Sequence, residues 1–348
     1  MLKADGSSLR AADDPDGTHR RVLVLGATGA VGRHVCAAVR AAGDEVLMVA
    51  RRPGTAAGAG RFFPMDLIGE GPDGLARLID AERPYAVVNA AGAAWQCSPE
   101  VMRQANHVLV DKVLAATAAA SWRPRLVHVG SVHEYTPQPP GVALDEGTPT
   151  QPTTLYGRTK LQGTEAVRTA AAAGQVDAVV LRVSNTIGAG TSPGSLLGRV
   201  AAQLRAAGAD QEAVVRVSPL RASRDFVDAR DAAHAVLAAA ALPAGNELLN
   251  IGRGEATPVR TMVERLITVS GRQARIVETP EPGVGAAAAQ DWMRVETGRA
   301  RRLLHWTVRH DIDSSAHDLW QATAPAAREP QSPGLGRPTP YRPVPKPE

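Results

Sequence analysis

Cysteine is nearly missing from this chain: its 348 residues hold two, Cys36 and Cys97. Two thiols build neither a disulfide framework nor a four-ligand zinc site, so both read as small packing residues in a reducing compartment, and a cytoplasmic location is expected. No cluster of His, Asp, Glu or Cys has metal-ligand spacing, and no metal is expected. No stretch approaches the roughly 18 uninterrupted apolar residues that a membrane span requires. With 44% hydrophobic and 21% charged residues the composition is that of a globular chain. The formal charge is only +4, and its basic residues stand singly, so nothing tracks a phosphate backbone and nucleic acid is excluded as a partner. Lysine is scarce too: of 39 basic residues four are lysines (Lys3, Lys112, Lys160, Lys346) and the other 35 arginines. A chain so biased keeps lysine where a compact, titratable ammonium is wanted, or where nothing is at stake.

What is present is alternation. The first twenty residues lack an apolar period and the basic-then-apolar order of a secretory signal, and are expected to form a disordered leader. A proline-rich tail is expected over 323–348. Between them, Arg21–Gly26 reads as a strand, the alanine-rich stretch through Ala42 as a helix stopped by Gly43, and Glu45–Ala50 as a second strand. Strands at Tyr85–Asn89, Arg125–Val129 and Val176–Val183 alternate with helices at Val101–Ala120 and from Tyr156 to about Ala173. Apolar strands separated by helices predict a Rossmann-type, doubly wound parallel α/β sheet over 21–183. Beyond Val183 shorter elements predict a smaller α/β substrate domain over 184–322, from which 226–251 returns to the first. Alanine-rich helices at 112–120 and 231–242 suit core or helix-pair packing, or the face of a homodimer.

Three local patterns carry chemistry. Gly26-Ala27-Thr28-Gly29-Ala30-Val31-Gly32 joins the first strand to the first helix, where glycines let the main chain approach a pyrophosphate resting on the helix N-terminus. The second strand ends in Arg51-Arg52, with no acid to grip a free ribose hydroxyl. Arginine there favours NADP(H) over NAD(H), the alternative being a solvated strand end. Tyr156 and Lys160, four apart, share a helix face, where the ammonium would lower the phenol's pKa and make a general acid of it. Ser131, at the carboxyl end of the strand over Arg125–Val129, is placed to bond a substrate carbonyl, or to cap a turn.

These residues together resemble the extended short-chain dehydrogenase/reductases, in particular the NAD-dependent epimerase/dehydratase group acting on nucleotide sugars. The resemblance runs over about 21–307. It adds Asp66-Leu67 at the adenine, Ala90-Ala91-Gly92 (after Asn89) and Asn106 along the cofactor, and a stretch from Arg182 through Asn185 to Gly188 that links nicotinamide and substrate. Ala189 stands in place of that motif's proline, which loosens the loop. It also implies a substrate region over Asn185–Leu204, which contains Arg199, and places Arg224, in the segment Arg224–Asp231, on the substrate diphosphate. Leu303-Leu304-His305-Trp306 is similar to the family's ending, with His305 where glycine is usual.

The implied chemistry is hydride transfer with Tyr156 moving the proton, Ser131 polarising the oxygen and Lys160 holding the ribose. Sugar dehydratases of the group place an acid pair after the serine. Val132 and His133 stand here instead, His133 being a substrate-side candidate or a polar filler, and Asp145-Glu146 fall in a loop bordering the pocket. A nucleotide-sugar substrate is expected, and an NADPH-dependent reductase of 4-keto-6-deoxy sugars. The alternatives are an NAD-dependent nucleotide-sugar 4-epimerase and a non-catalytic NADP-binding regulator.

Overall fold

The computed structural model describes residues 20–53, 60–208, 211–243, 245–279 and 291–324. The expected leader and tail fall outside these but for Arg20, Thr323 and Ala324. In β1 (Arg21–Leu25) successive side chains point to opposite faces, and both faces are apolar. Val22 and Val24 join one buried cluster, Leu23 and Leu25 another. The same division continues in β2 (Glu45–Ala50), β4 (Ala86–Asn89), β5 (Arg125–Ser131) and β6 (Asp177–Val183). A strand buried on both faces needs helices on both, and the connections supply them.

With β3 (Arg61–Pro64) and β11 (Glu247–Ile251), these strands form one seven-stranded sheet in the order β3-β2-β1-β4-β5-β6-β11, parallel at every pairing. On one face α1 (Gly32–Ala41) packs on α7 (Ala229–Ala240), whose Ala232, Ala233, Ala235 and Ala239 are fully buried. On the other lie α2 (Pro72–Glu82), α4 (Leu109–Ala119) and α5 (Leu155–Ala172). Cys36 is buried in the first of these layers, and burial pushes its thiol up to about 11, as for an inert packing residue.

The helix expected over Val101–Ala120 is not continuous. It runs as α3 (Pro99–Arg103), one π-helical turn over Gln104–Val108, then α4. The extra residue in that turn points Asn106 inward, which an α-helical period does not foresee.

At the carboxyl edge of the sheet a second, smaller core surrounds Val200, Leu204, Met262 and Leu319. It is built from α6 (Leu196–Ala206), a parallel pair of β8 (Ala213–Val217) with β13 (Ala274–Glu278), α8 (Val259–Ser270) and α10 (Ile312–Ala322). Two short ladders join it to the sheet: β7 (Asn185–Ile187) with β10 (Phe226–Asp228), and β9 (Ser223–Arg224) with β12 (Thr257–Pro258). The helix α9 (Gly298–Leu304) returns against β11.

Candidate active site

The glycine turn after β1 is set by close approach. Gly26 has φ +75°, and a Cβ on it would lie 2.7 Å from Ala91 Cα; one on Gly32 would lie 2.1 Å from the Gly26 oxygen. Ala27 N–H donates to Val49 oxygen (3.3 Å) and Gly29 N–H to Gly26 oxygen (2.9 Å). Arg33 closes the turn from outside, donating to the oxygens of Thr28 (3.0 Å) and Gly29 (3.2 Å). Helix α1 starts after Val31 with no side chain capping it. Bare amides behind a turn too tight for side chains fit a dinucleotide pyrophosphate.

The other cofactor-side candidates flank this turn. Ala90 N–H donates to Leu25 oxygen (3.1 Å), and Ala91 N–H to the side-chain oxygen of buried Asn89 (3.2 Å). Asn106 binds Ala93 at both its main-chain groups (2.9 and 2.8 Å) and donates to Thr159 Oγ1 (3.1 Å); a Cβ on Gly92 would strike its Oδ1. It therefore shapes the wall of the cleft through Ala93. Arg51 and Arg52 are exposed at the end of β2. Asp66 spends its carboxylate on its own turn, whose Gly69 and Ile68 amides hold its pKa down. Leu67 packs beneath. Lys112 serves the fold, since its ammonium bonds the oxygens of Ile68 and Glu70 (3.0 Å for the latter) and so pins the Asp66-Leu67 loop to α4.

Ser131 ends β5 and caps the 3-10 turn Val132–Glu134. Its Oγ accepts the His133 amide (3.3 Å), and the hydroxyl lies near enough to the Tyr156 phenol to draw its pKa down. The His133 ring meets the Tyr156 ring edge-on, centroids 5.7 Å apart, and its Nε2 donates to Asn185 Oδ1 (3.3 Å). Burial pushes His133 down to about 4, Asn185 opposing and Arg224 adding to the fall, so the imidazole is neutral at neutral pH. Asn185 is fixed in turn by donating to the Asp225 oxygen (2.9 Å). Ser131, His133, Tyr156 and Asn185 thus come together at the junction of the two units, with the Arg224 charge acting on His133. Arg199 does not join them by any bond: it is exposed on α6 and donates to Gly194 oxygen (3.2 Å).

One expectation is corrected. The helical spacing predicts that Lys160 lowers the Tyr156 pKa, yet the phenol is raised: burial dominates, the Ser131 bond opposes it, and the Glu134 charge adds to it. The reason is geometric, because Lys160 Nζ is buried and turned to the Val129 oxygen (2.6 Å). Arg224 is half-buried, its pKa lowered by burial with Asp291 opposing, whereas Arg230 is spent on Asp228 and Asp318 (both 2.8 Å). The Ala189 carbonyl accepts from His34 Nε2 (2.7 Å), an anchor for the loop that the loss of proline is expected to loosen. Asp145 binds its own turn and Glu146 accepts the Asn250 amide (2.9 Å). Glu134 and Asp225, both fully buried, do not stand out in the sequence. Ser131-Val-His-Glu134 carries the spacing of a capping box, a signal that would have found the first.

An uncapped glycine turn, a serine and a Tyr-Lys helix on the carboxyl edge of this sheet define a dinucleotide-dependent oxidoreductase of the short-chain kind. More narrowly, the chain belongs to the NAD dependent epimerase/dehydratase family, which residues 22–252 match. It is 43% identical over 310 residues to a dTDP-6-deoxy-L-talose 4-dehydrogenase (NAD(P)(+)) of Kitasatospora kifunensis, covering 88% of this chain and 97% of that one. Its fold is similar to RMD from Pseudomonas aeruginosa complexed with NADPH (TM-score 0.72, 21% identity, 87% of this chain and 98% of the other). It is also similar to UDP-glucose 4-epimerase of Thermotoga maritima with UDP-glucose (TM-score 0.76, 19% identity, the same coverage). The cofactor is accordingly NAD(P).

Proposed function

We propose that this protein, an NAD(P)-dependent nucleotide-sugar enzyme, reduces the C4 ketone of a nucleoside-diphosphate 4-keto-6-deoxysugar and prefers NADPH. The C4 couple is the one for which the Kitasatospora relative is named, taken in the reducing direction. The observation that carries the reading is His133, which follows Ser131, meets the Tyr156 ring edge-on and bonds Asn185 of the second unit, with the Arg224 charge near enough to lower its pKa. When bound, the dinucleotide supplies the hydride.

The chain's own residues divide the rest. Tyr156, held protonated by its surroundings, gives the proton to the reduced oxygen, and Ser131 polarises that oxygen beforehand. Lys160 holds the ribose. The Arg224 guanidinium, half-buried and with Ser223 oxygen as a long partner (3.3 Å), suits a bidentate diphosphate contact. The Gly26–Gly32 turn takes the pyrophosphate, Arg51 and Arg52 the 2′-phosphate, Asp66-Leu67 the adenine, and Ala90–Gly92 the wall that Asn106 shapes. Dehydration by an acid pair is disfavoured here: Val132 is apolar, His133 is neutral, and both oxygens of Glu134 are engaged.

The test is loss of NADPH absorbance, with NADH in parallel, on adding a dTDP- or GDP-4-keto-6-deoxyhexose generated in place. Stoichiometric NADPH oxidation with little use of NADH is expected, and an acid at Arg51 should move the preference towards NADH. No oxidation of either, with NAD recovered from the purified protein, would make it a 4-epimerase. No oxidation and no bound nucleotide would leave a regulator.

A further inference from the structure

Glu134 takes no part in the roles above, yet it is the most heavily engaged side chain around Ser131. Its carboxylate is fully buried. One oxygen accepts the Ser131 amide (2.7 Å) and the Thr164 hydroxyl (2.9 Å), and the other accepts Arg182 Nε (2.7 Å). Arg182 is buried as well and lies 4.4 Å from the centre of the Tyr135 ring, whose hydroxyl donates to Asn250 Oδ1 (2.7 Å). The strand leaves room for this group at Gly130, where a Cβ would come within 2.9 Å of Glu134 Oε1 and 3.0 Å of Thr164 Oγ1.

Stability is a poor reason to keep such a pair. Desolvating two ions costs about what their attraction returns, so apolar residues of similar volume would serve the fold as well. Location suggests another reason, because the amide that Glu134 holds belongs to the residue whose hydroxyl faces Tyr156. We propose that Glu134 is a positioning residue for the reaction: anchored by Arg182 and Thr164, it fixes Ser131 so that the hydroxyl faces Tyr156, and it sets a negative charge beside Tyr156 and Lys160. The inference rests on the roles proposed above for those three residues. The charge favours the protonated form of both neighbours, raising each pKa against what it would otherwise be.

Two variants separate reach from charge. Glu134→Gln keeps the length and an acceptor for Ser131, and removes the charge. Glu134→Asp keeps the charge and withdraws it by one methylene. The chain has four tyrosines, so tyrosinate absorbance during alkaline titration, with a Tyr156→Phe partner of each variant subtracted, reads Tyr156 with no substrate present. Glu134→Gln is expected to titrate Tyr156 at lower pH than the wild type. Glu134→Asp should leave that midpoint in place and lower kcat on the order of 10- to 100-fold with KM little changed, the cost of a misplaced reacting group. Because Gln orphans the Arg182 guanidinium, the double variant Glu134→Gln with Arg182→Met repeats the titration with both charges gone, and the same downward shift is expected. An unmoved midpoint in either folded charge-removed protein, or full kcat in Glu134→Asp, would overturn the proposal. A wild type inactive on every keto sugar would instead count against the functional reading, while the substrate-free titration would still judge Glu134.

Discussion

The turns that follow β1 and β5 lie on either side of β4 at the same sheet edge, and they solve the start of a helix in opposite ways. After β1 no side chain caps the helix: Gly26, Gly29 and Gly32 bend the main chain, Arg33 bonds only its oxygens, and the amides that start α1 have no side-chain acceptor. After β5 side chains cap the start: Ser131 accepts the His133 amide, and Glu134 reaches back to the Ser131 amide. Capping is worth about 1 kcal/mol, so an uncapped start is a local loss. The difference teaches where each turn's hydrogen bonds are meant to go. On the function proposed above, the uncapped amides at the start of α1 would take a dinucleotide pyrophosphate, while the capped turn holds the Ser131 backbone still.

Removing the phenol would strike the second turn hardest. Tyr156→Phe preserves the edge-on contact with His133 and takes away the hydroxyl, and with it the proton. Turnover with NADPH should fall roughly 10²- to 10⁴-fold, the usual contribution of a positioned acid, with an unchanged thermal midpoint. Turnover near the wild-type level would mean that the reacting groups lie elsewhere.

The first turn breaks at a methyl group. Gly32→Ala puts a Cβ 2.1 Å from the Gly26 oxygen, main chain against main chain, with no flexible side chain to yield. A loss on the order of 3 kcal/mol is expected, the upper range for overpacking, together with loss of NADPH binding. Thermal denaturation and a fluorescence titration with NADPH check the two halves. Stable protein that still binds would show that the turn relaxes, and the contrast between the two starts would lose its basis.

These turns also differ in how readily sequence discloses them. Glycine spacing between a strand and a helix is a local pattern, so Gly26–Gly32 stands out in the chain alone, as do Tyr156 and Lys160 four residues apart. The alternation of apolar strands with helices likewise makes the parallel sheet legible. Partners distant in sequence are not legible. Nothing near Lys160 announces that Val129 oxygen will claim its ammonium, and nothing near Asn106 announces a π-helical turn. Nor does the composition of 291–297 foretell that Val295 will pair with Leu144, or that Met293 will lie against Asn185.

Two buried carboxylates sharpen the same contrast on a smaller scale. Glu134 has a guanidinium; Asp225 has Ser184 Oγ (3.0 Å) and the amides of Arg253, Gly254 (2.8 Å each) and Val295 (3.4 Å), all neutral donors. Burial pushes Asp225 up to about 6 against those bonds, above the unfolded value of about 3.9. A carboxyl raised by folding stabilises fully below its unfolded pKa, and that contribution is lost as pH rises through the folded one. Between pH 4 and 6.5 the wild type should therefore lose about 2 kcal/mol through this group. Asp225→Asn does not titrate, so its stability relative to the wild type should improve by about that much over the same window, read by denaturant melts at both ends. A constant difference would show that four neutral donors hold the carboxylate as well as an arginine does.

The far end of a helix sets a different demand, and it yields the smallest effect. Helix α9 stops at His305, whose φ of 50° and ψ of 33° lie in the left-handed region. That twist delivers Trp306 into the core, where its indole donates to Asp231 oxygen (2.9 Å). What this position requires is a conformation, which glycine adopts freely and a residue with a Cβ adopts at about 1–2 kcal/mol. The imidazole itself is exposed. His305→Gly should thus stabilise by about 0.5–1 kcal/mol, the relief being partly offset by the greater freedom of glycine in the unfolded chain. His305→Ala separates side chain from backbone, because alanine keeps the Cβ and gains nothing. Equal midpoints for the glycine and alanine variants would place the effect in the lost imidazole; a glycine variant alone above the wild type would place it in the main chain, where the geometry of α9 puts it.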